Sequence, residues 1–192
     1  MKNNLFKMGL LLFIGLLIVS FTTLKVEKKV VDTSKSTILW LATKVTGKHH
    51  GTINLKSGNF LFDENKLVGG EFVVDMTTIV CLDLQGQNKA KLESHLNSED
   101  FFSVVNFSES NFKITSSKVV APNKYIVTGD LTIKGKTLQN SFEIEFEGNT
   151  ANCTIVIDRS KFDIKYGSGS FFDNLGDKTI HDNFELKVAL VF

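Results

Sequence analysis

The strongest signal along the chain is alternation. Tyr125, Val127, Gly129, Leu131 and Ile133 share one side of the stretch 125–133, with mostly polar residues between them. A period of two marks a strand with one buried face. Lys134-Gly135-Lys136 reads as a hairpin connection, and 138–147 answers it. There Phe142, Ile144 and Phe146 face in while Glu143, Glu145 and Glu147 face out. The pattern continues through Ala151, Cys153, Ile155 and Ile157. It ends with Phe184, Leu186, Val188, Leu190 and Phe192 on one face. Earlier strands are expected at 37–46 around Trp40, at 52–62, at 67–76 and at 104–116. In the third of these Phe72, Val74 and Met76 oppose Glu71, Val73 and Asp75. The fourth carries Phe107 and, past an irregularity, Phe112 and Ile114. Turns are expected at 47–51, holding His49 and His50, and at 63–65, 122–123 and 148–149. Residues 25–32 read as a polar linker and 159–177 as a long irregular loop.

One stretch departs from this period. Gln85 to Leu96 is rich in helix formers, with Leu92 and Leu96 one turn apart on a polar background. Its apolar side is narrow, only Ala90, Leu92 and Leu96, which suits a lid better than a core helix. About eight closely spaced strands, one helix and a single proline read as an antiparallel sandwich or a closed barrel. Closure removes the sheet edges and favours the barrel.

Composition sharpens this picture. Of 22 basic and 21 acidic residues, Lys2 and Lys7 lie in an N-terminal leader, so the remainder is within one charge of balance. That leaves no electrostatic footprint for nucleic acid and no polybasic run for an anionic membrane. Seventeen Phe against two Tyr and one Trp suit an interior without polar handles. A barrel of eight strands either just fills with side chains or holds one small ligand, and pattern alone leaves both open. Residues 1–24 have a positive start, an apolar run from Met8 to Val19, then Ser20, Thr22 and Thr23. This is the layout of a secretory signal peptide, or, without an A-x-A site, of an uncleaved anchor. The expected location is periplasmic or secreted. Cys81 and Cys153 are expected as free thiols.

Candidate chemistry is sparse. His49, His50, His95 and His181 show no metal-ligand spacing. Asp173, Asp177 and Asp182 do not fit a calcium loop. Gly167 to Ser170 is neither a nucleophile elbow nor a phosphate loop. No catalytic, metal or cofactor site is expected.

The order of short motifs adds a resemblance. L-x-G-G-x-F-x-V-D-M (67–76), K-L-x-x-H-L (91–96) and S-x-D-F-F (98–102) follow Trp40, Lys44-Val45-Thr46-Gly47 and His50-Gly51-Thr52. Gly129-x-Leu131-Thr132-Ile133-x-Gly135, Asp158-Arg159-Ser160 and Ile180-His181-Asp182 come after. Together they resemble the YceI-like family of polyisoprenoid-binding proteins, from about Val31 to Phe192. Leu41-Ala42 departs from the small residue that tends to follow the early Trp. The resemblance implies an all-β, lipocalin-like antiparallel eight-stranded barrel, one domain over 31–192, with a short capping helix. It implies a hydrophobic tunnel for the tail of a polyprenyl or quinone-type lipid, in a carrier or store. On this reading Trp40, Phe72, Val74, Met76, Leu92 and Leu96 line the tunnel. So do Tyr125, Val127, Leu131, Phe142, Ile144, Ile155, Phe184, Leu186 and Val188. Two other readings stand beside it. One is an enzyme or accessory factor acting on such a lipid through His95, Asp75 and Tyr166. The other is a packed interaction module without a ligand. Transient membrane contact for loading and a homodimer are left open.

Overall fold

A computed structural model describes residues 25–192; the leader, whether signal peptide or anchor, lies outside the described residues. In order come β1 (Val26–Val30), β2 (Asp32–Lys44), β3 (Gly47–Asp63), β4 (Lys66–Cys81) and helix α1 (Gly86–Asn97). Then follow β5 (Glu109–Ala121), β6 (Lys124–Ile133), β7 (Lys136–Glu147), β8 (Thr150–Asp158) and β9 (Ile180–Val191). Strands β2 to β9 pair antiparallel around a ring that β3 and β4 close, so the expected eight-stranded barrel is the architecture. Among the described residues no helix is long and apolar enough to cross a membrane.

The alternating face turned inward because closure leaves only one dry side for it. Local sequence also explains the one corner. Strand β3 is long enough to carry two partners on one edge: β2 pairs its first part, from Gly47 to Thr52, and β1 its last, from Asn59 to Asp63. The Val31 amide donates to the Gly58 carbonyl at 2.9 Å, joining β1 and β2 into one bent edge. This corrects the linker read at 25–32. Val26 and Val30 are exposed, so β1 shows no buried face in its sequence and is held by its backbone ladder.

Two further boundaries move. Residues 104–107, read as the start of a strand, form turns, and β5 begins at Glu109. His49 and His50 sit on β3, not in a turn. Both meet Asp83 beyond β4: the His49 ring lies 2.8 Å from one carboxylate oxygen and the His50 amide donates to the other at 2.9 Å. Burial pushes the Asp83 carboxyl up, but these hydrogen bonds and the Cys81 thiol outweigh it and hold it at about 2.

The two ends of the barrel differ. Phe60, with no exposed surface, forms a plug at the end holding the β3–β4, β5–β6 and β7–β8 turns. Its ring meets those of Phe72, Phe146 and Phe192 with centroids 5.0, 5.2 and 5.4 Å apart, all edge-on. That geometry is the favoured one for aromatic pairs. The opposite end carries α1. Its Glu93 carboxylate accepts the Cys81 amide at 2.8 Å, tying the helix to β4. Leu96 is its one buried residue.

Candidate functional site

Between the Phe plug and the helix runs an apolar tube. It encloses a cavity of about 170 Å³. Gly51 helps to form it, because a Cβ there would collide with the Val80 carbonyl and the Trp40 ring. Trp40 therefore lies flat across β3, its indole N–H donating to the Thr52 carbonyl at 3.2 Å, and its face bounds the tube.

Most of the expected lining residues are where the pattern put them. Trp40, Phe72, Val74, Met76, Leu96, Val127 and Leu131 line the tube. Phe142, Ile144, Ile155, Phe184, Leu186 and Val188 do so as well. Two do not. Tyr125 begins β6 at the plugged end, where its ring meets Phe146 with centroids 5.7 Å apart and its hydroxyl points to the Asn65 carbonyl. Leu92 lies a helical turn before Leu96 and is half-buried outside the lining.

Inward residues that keep surface are the decisive feature. Val74, Phe184, Leu186 and Val188, on strands paired on both sides, are only partly buried although they face the interior. In a core at crystal-like density such residues would be fully covered. Here they border open space. The interior is a tunnel, not a packed core.

Polar groups reach the tube at few points. The Ser110 hydroxyl donates to the Met76 sulfur at 3.1 Å, a weak acceptor. Arg159 and His181 stand near the helix end. Arg159 was legible only as part of a short motif, and a lone arginine after a strand reads as a surface residue. It is 2% exposed. Its guanidinium donates to four carbonyls, those of Ile164 and Tyr166 at 2.9 Å, Ile180 at 3.1 Å and His181 at 3.2 Å. It also pairs with Asp182 at 3.4 Å and lies over the Phe101 ring. Four of its five N–H donors go to backbone carbonyls of the loop after β8 and the start of β9, so Arg159 is a clasp that shapes the loop and seats Phe101. The expected lining also omitted Phe101 and Phe102, as well as strand residues such as Ile38, Ile53, Leu55 and Ile133. The two phenylalanines follow α1 in turns that carry no periodicity.

The three groups considered for an enzyme do not converge. His95 meets Tyr166, with ring centroids 4.2 Å apart. Asp75 alternates with the inward Val74 and Met76 and so faces outward, where it accepts the Thr77 amide and hydroxyl at 3.0 and 2.6 Å. Among the described residues no three His, Cys, Asp or Glu side chains converge as metal ligands would. Both cysteines are free, and burial pushes the Cys153 thiol up to about 12.

Burial ties the stability of the helix end to the protonation of His95. Its Nε2 is buried without a hydrogen-bond partner. Burial lowers its pKa below the ordinary 6.5, with Asp100 opposing and Arg159 assisting. The folded protein therefore binds fewer protons here than the unfolded chain, and stability falls as pH drops below 6.5. Thermal melts across that range should show this slope in the wild type and a shallower one in His95→Phe. Identical slopes would dismiss the assignment.

A UPF0312 protein of Vibrio parahaemolyticus is 36% identical over 100 residues, covering 51% of this chain and 50% of that protein. A UPF0312 protein of Staphylococcus aureus is 40% identical over 75 residues, 39% of this chain and 40% of its own. The chain thus spans about half the length of the curated relatives it matches. Among solved structures, Burkholderia cenocepacia BcnA superimposes with a TM-score of 0.65 at 22% identity, over 84% of this chain and 99% of that one. A polyisoprenoid binding domain from Saccharophagus degradans, implicated in plant cell wall breakdown, does so with 0.55 at 10% identity, over 88% and 97%. The YceI-like domain matches residues 30–192, which take in every barrel strand, and the chain belongs to that family.

Proposed function

We propose that the barrel binds one isoprenoid lipid, with its polyprenyl or quinone-type tail in the tunnel, and serves as a carrier or store. The single observation that carries this is an almost wholly apolar tube inside the barrel, plugged by Phe60 at one end and capped by α1 at the other. An isoprenoid tail has no hydrogen-bonding groups, so such a tube asks nothing polar of it. Burial contributes about 25 cal/mol for each Å² of tail removed from water. Tunnel depth then sets tail length, and few polar contacts are needed to fix orientation. The structural likeness to a polyisoprenoid binding domain supports the same ligand class. The leader-like pattern of residues 1–24, cleaved or kept as an anchor, supports a carrier outside the cytoplasmic membrane that exchanges its lipid with a membrane.

Organic extraction of the purified protein followed by mass spectrometry tests this reading. An isoprenoid lipid in near-stoichiometric amount is expected. An empty extract, together with no uptake of added ubiquinone, would exclude it.

A further inference from the structure

The barrel wall is not sealed along its whole height. Strand β7 is paired to β6 from Lys136 to Glu145, and β8 to β9 from Thr150 to Asp158. Between β7 and β8 only four pairs form, Ile144 with Cys153 through Glu147 with Thr150. Toward the helix end neither strand has a partner on the facing side.

Burial changes at the same place. Ile144 and Phe146 are buried where β8 covers β7. Phe142, Asn140 and Leu138 face the same way but are only half-buried. On β8, Cys153 and Ile155 are likewise half-buried, while Ile157 is covered again. The opening is thus a window with a frame. Its lower sill is the Ile144–Cys153 pair. Its upper edge is the buried Ile157 and Phe162, with the Lys136–Asp163 ion pair at 3.6 Å spanning the gap. The ladder is also interrupted at the β2–β3 corner, yet there Ile38, Ile53 and Leu55 stay buried. A broken ladder alone does not make a window.

What lies on each side matters. Inside, Phe142, Cys153 and Ile155 belong to the tunnel wall. Outside is a shallow groove that includes Thr37, Glu143, Thr154 and Lys187. Cys153 and Val188 border both, so only the single layer of β8 and β9 separates the groove from the tunnel beside the window. The exposed Val156 stands beside it.

We propose that this β7–β8 window is a lateral portal through which the isoprenoid chain enters and leaves the tunnel. The proposal rests on the carrier reading above. It gives the ligand a path that disturbs neither the Phe60 plug nor the Arg159 clasp. The two strands need only part where they already lack hydrogen bonds, so opening breaks no ladder. The polar groove outside offers water and hydrogen-bonding groups to a polar end while the tail slides past Phe142.

The test uses the single Trp40 in the tunnel wall as reporter. Protein is loaded with ubiquinone, which quenches Trp40, and mixed with phosphatidylcholine vesicles; recovery of fluorescence gives the transfer rate. In one variant Ser141→Cys and Val156→Cys, both outward beside the window, are joined by a reductively cleavable bis-thiosulfonate linker. Wild type, whose only thiols are Cys81 and Cys153, is treated with the same linker to read any reaction at those two positions and should transfer at the untreated rate. Closing the portal should slow transfer about tenfold or more, as expected when a gating motion limits release, and reduction should restore it. The same linker across the paired β5–β6 seam, at Lys113→Cys and Asp130→Cys, should leave the rate unchanged. Phe142→Ala, which widens the window, should speed transfer. Equal rates for the linked, reduced and Phe142→Ala proteins would overturn the portal while leaving the carrier intact. Failure of every form to take up ubiquinone would overturn the carrier reading and the portal with it.

Discussion

Arg159→Gln is expected to lower the stability of the lipid-free barrel by about 3–5 kcal/mol, the usual loss when one partner of a buried, hydrogen-bonded charge is removed. The substitution leaves the carbonyls of Ile164, Tyr166, Ile180 and His181 short of donors and the half-buried Asp182 short of its cation. It also withdraws the cation lying over Phe101. For a domain of this size such a loss lowers the melting temperature by about ten degrees or more. Arg159→Lys should recover only part of it, because an ammonium is a point charge with three donors and cannot reproduce the planar fork. The loop 163–179 should become the first protease-sensitive site, since the clasp and not a strand ladder holds it. Denaturant melts of the three proteins and limited proteolysis check both statements. A melt of Arg159→Gln within about 1 kcal/mol of wild type, inside the ordinary range for a surface change, would show that the loop is held by something else.

Val188→Phe is expected to abolish lipid retention while leaving the stability of the lipid-free protein near that of wild type. Val188 lines the tunnel and is only half-buried, so a ring at that position enters open space. It gains contact there and occupies the path of the tail. Val127→Phe separates this from a general effect of size. Val127 also borders the tunnel, but it has no exposed surface. The added ring must displace neighbours, and overpacking of that kind costs about 1–3 kcal/mol. Melts of delipidated protein, with lipid content from extraction, read both effects. Marked destabilisation by both substitutions, with no lipid in the wild type, would mean that the interior behaves as a packed core and would remove the basis for the carrier.

Some of this molecule could be read from its residues one by one. Wherever a strand has one dry and one wet face, the period of two survives in the sequence. So the inward faces of β6, β7, β8 and β9 were legible, and with them most of the tunnel wall. The helix was legible for the same reason in a different period. Where that reason fails, the reading failed. Strand β1 buries almost nothing and is fixed by its ladder to β3, so its polar sequence looked like a linker. The 104–107 segment is apolar in part yet follows turns, and its Val104 is buried while Val105 is exposed.

By itself, then, the sequence determined the strand faces, the lone helix and an interior made of phenylalanine. Each of these is local, because neighbours along the chain decide which way a side chain turns. Whether that interior is full or hollow was decided only by the tertiary structure. Closure sets the barrel's width independently of any single residue, and the side chains then either span it or leave a channel. The same holds for Tyr125, whose strand face was right but whose position along the strand put it in the plug. It holds for Arg159, whose four carbonyl partners come from two segments that meet only in the fold. And it holds for the β7–β8 window, because the inward pattern of β7 is the same on both sides of Ile144 and nothing in it marks where the partner strand stops.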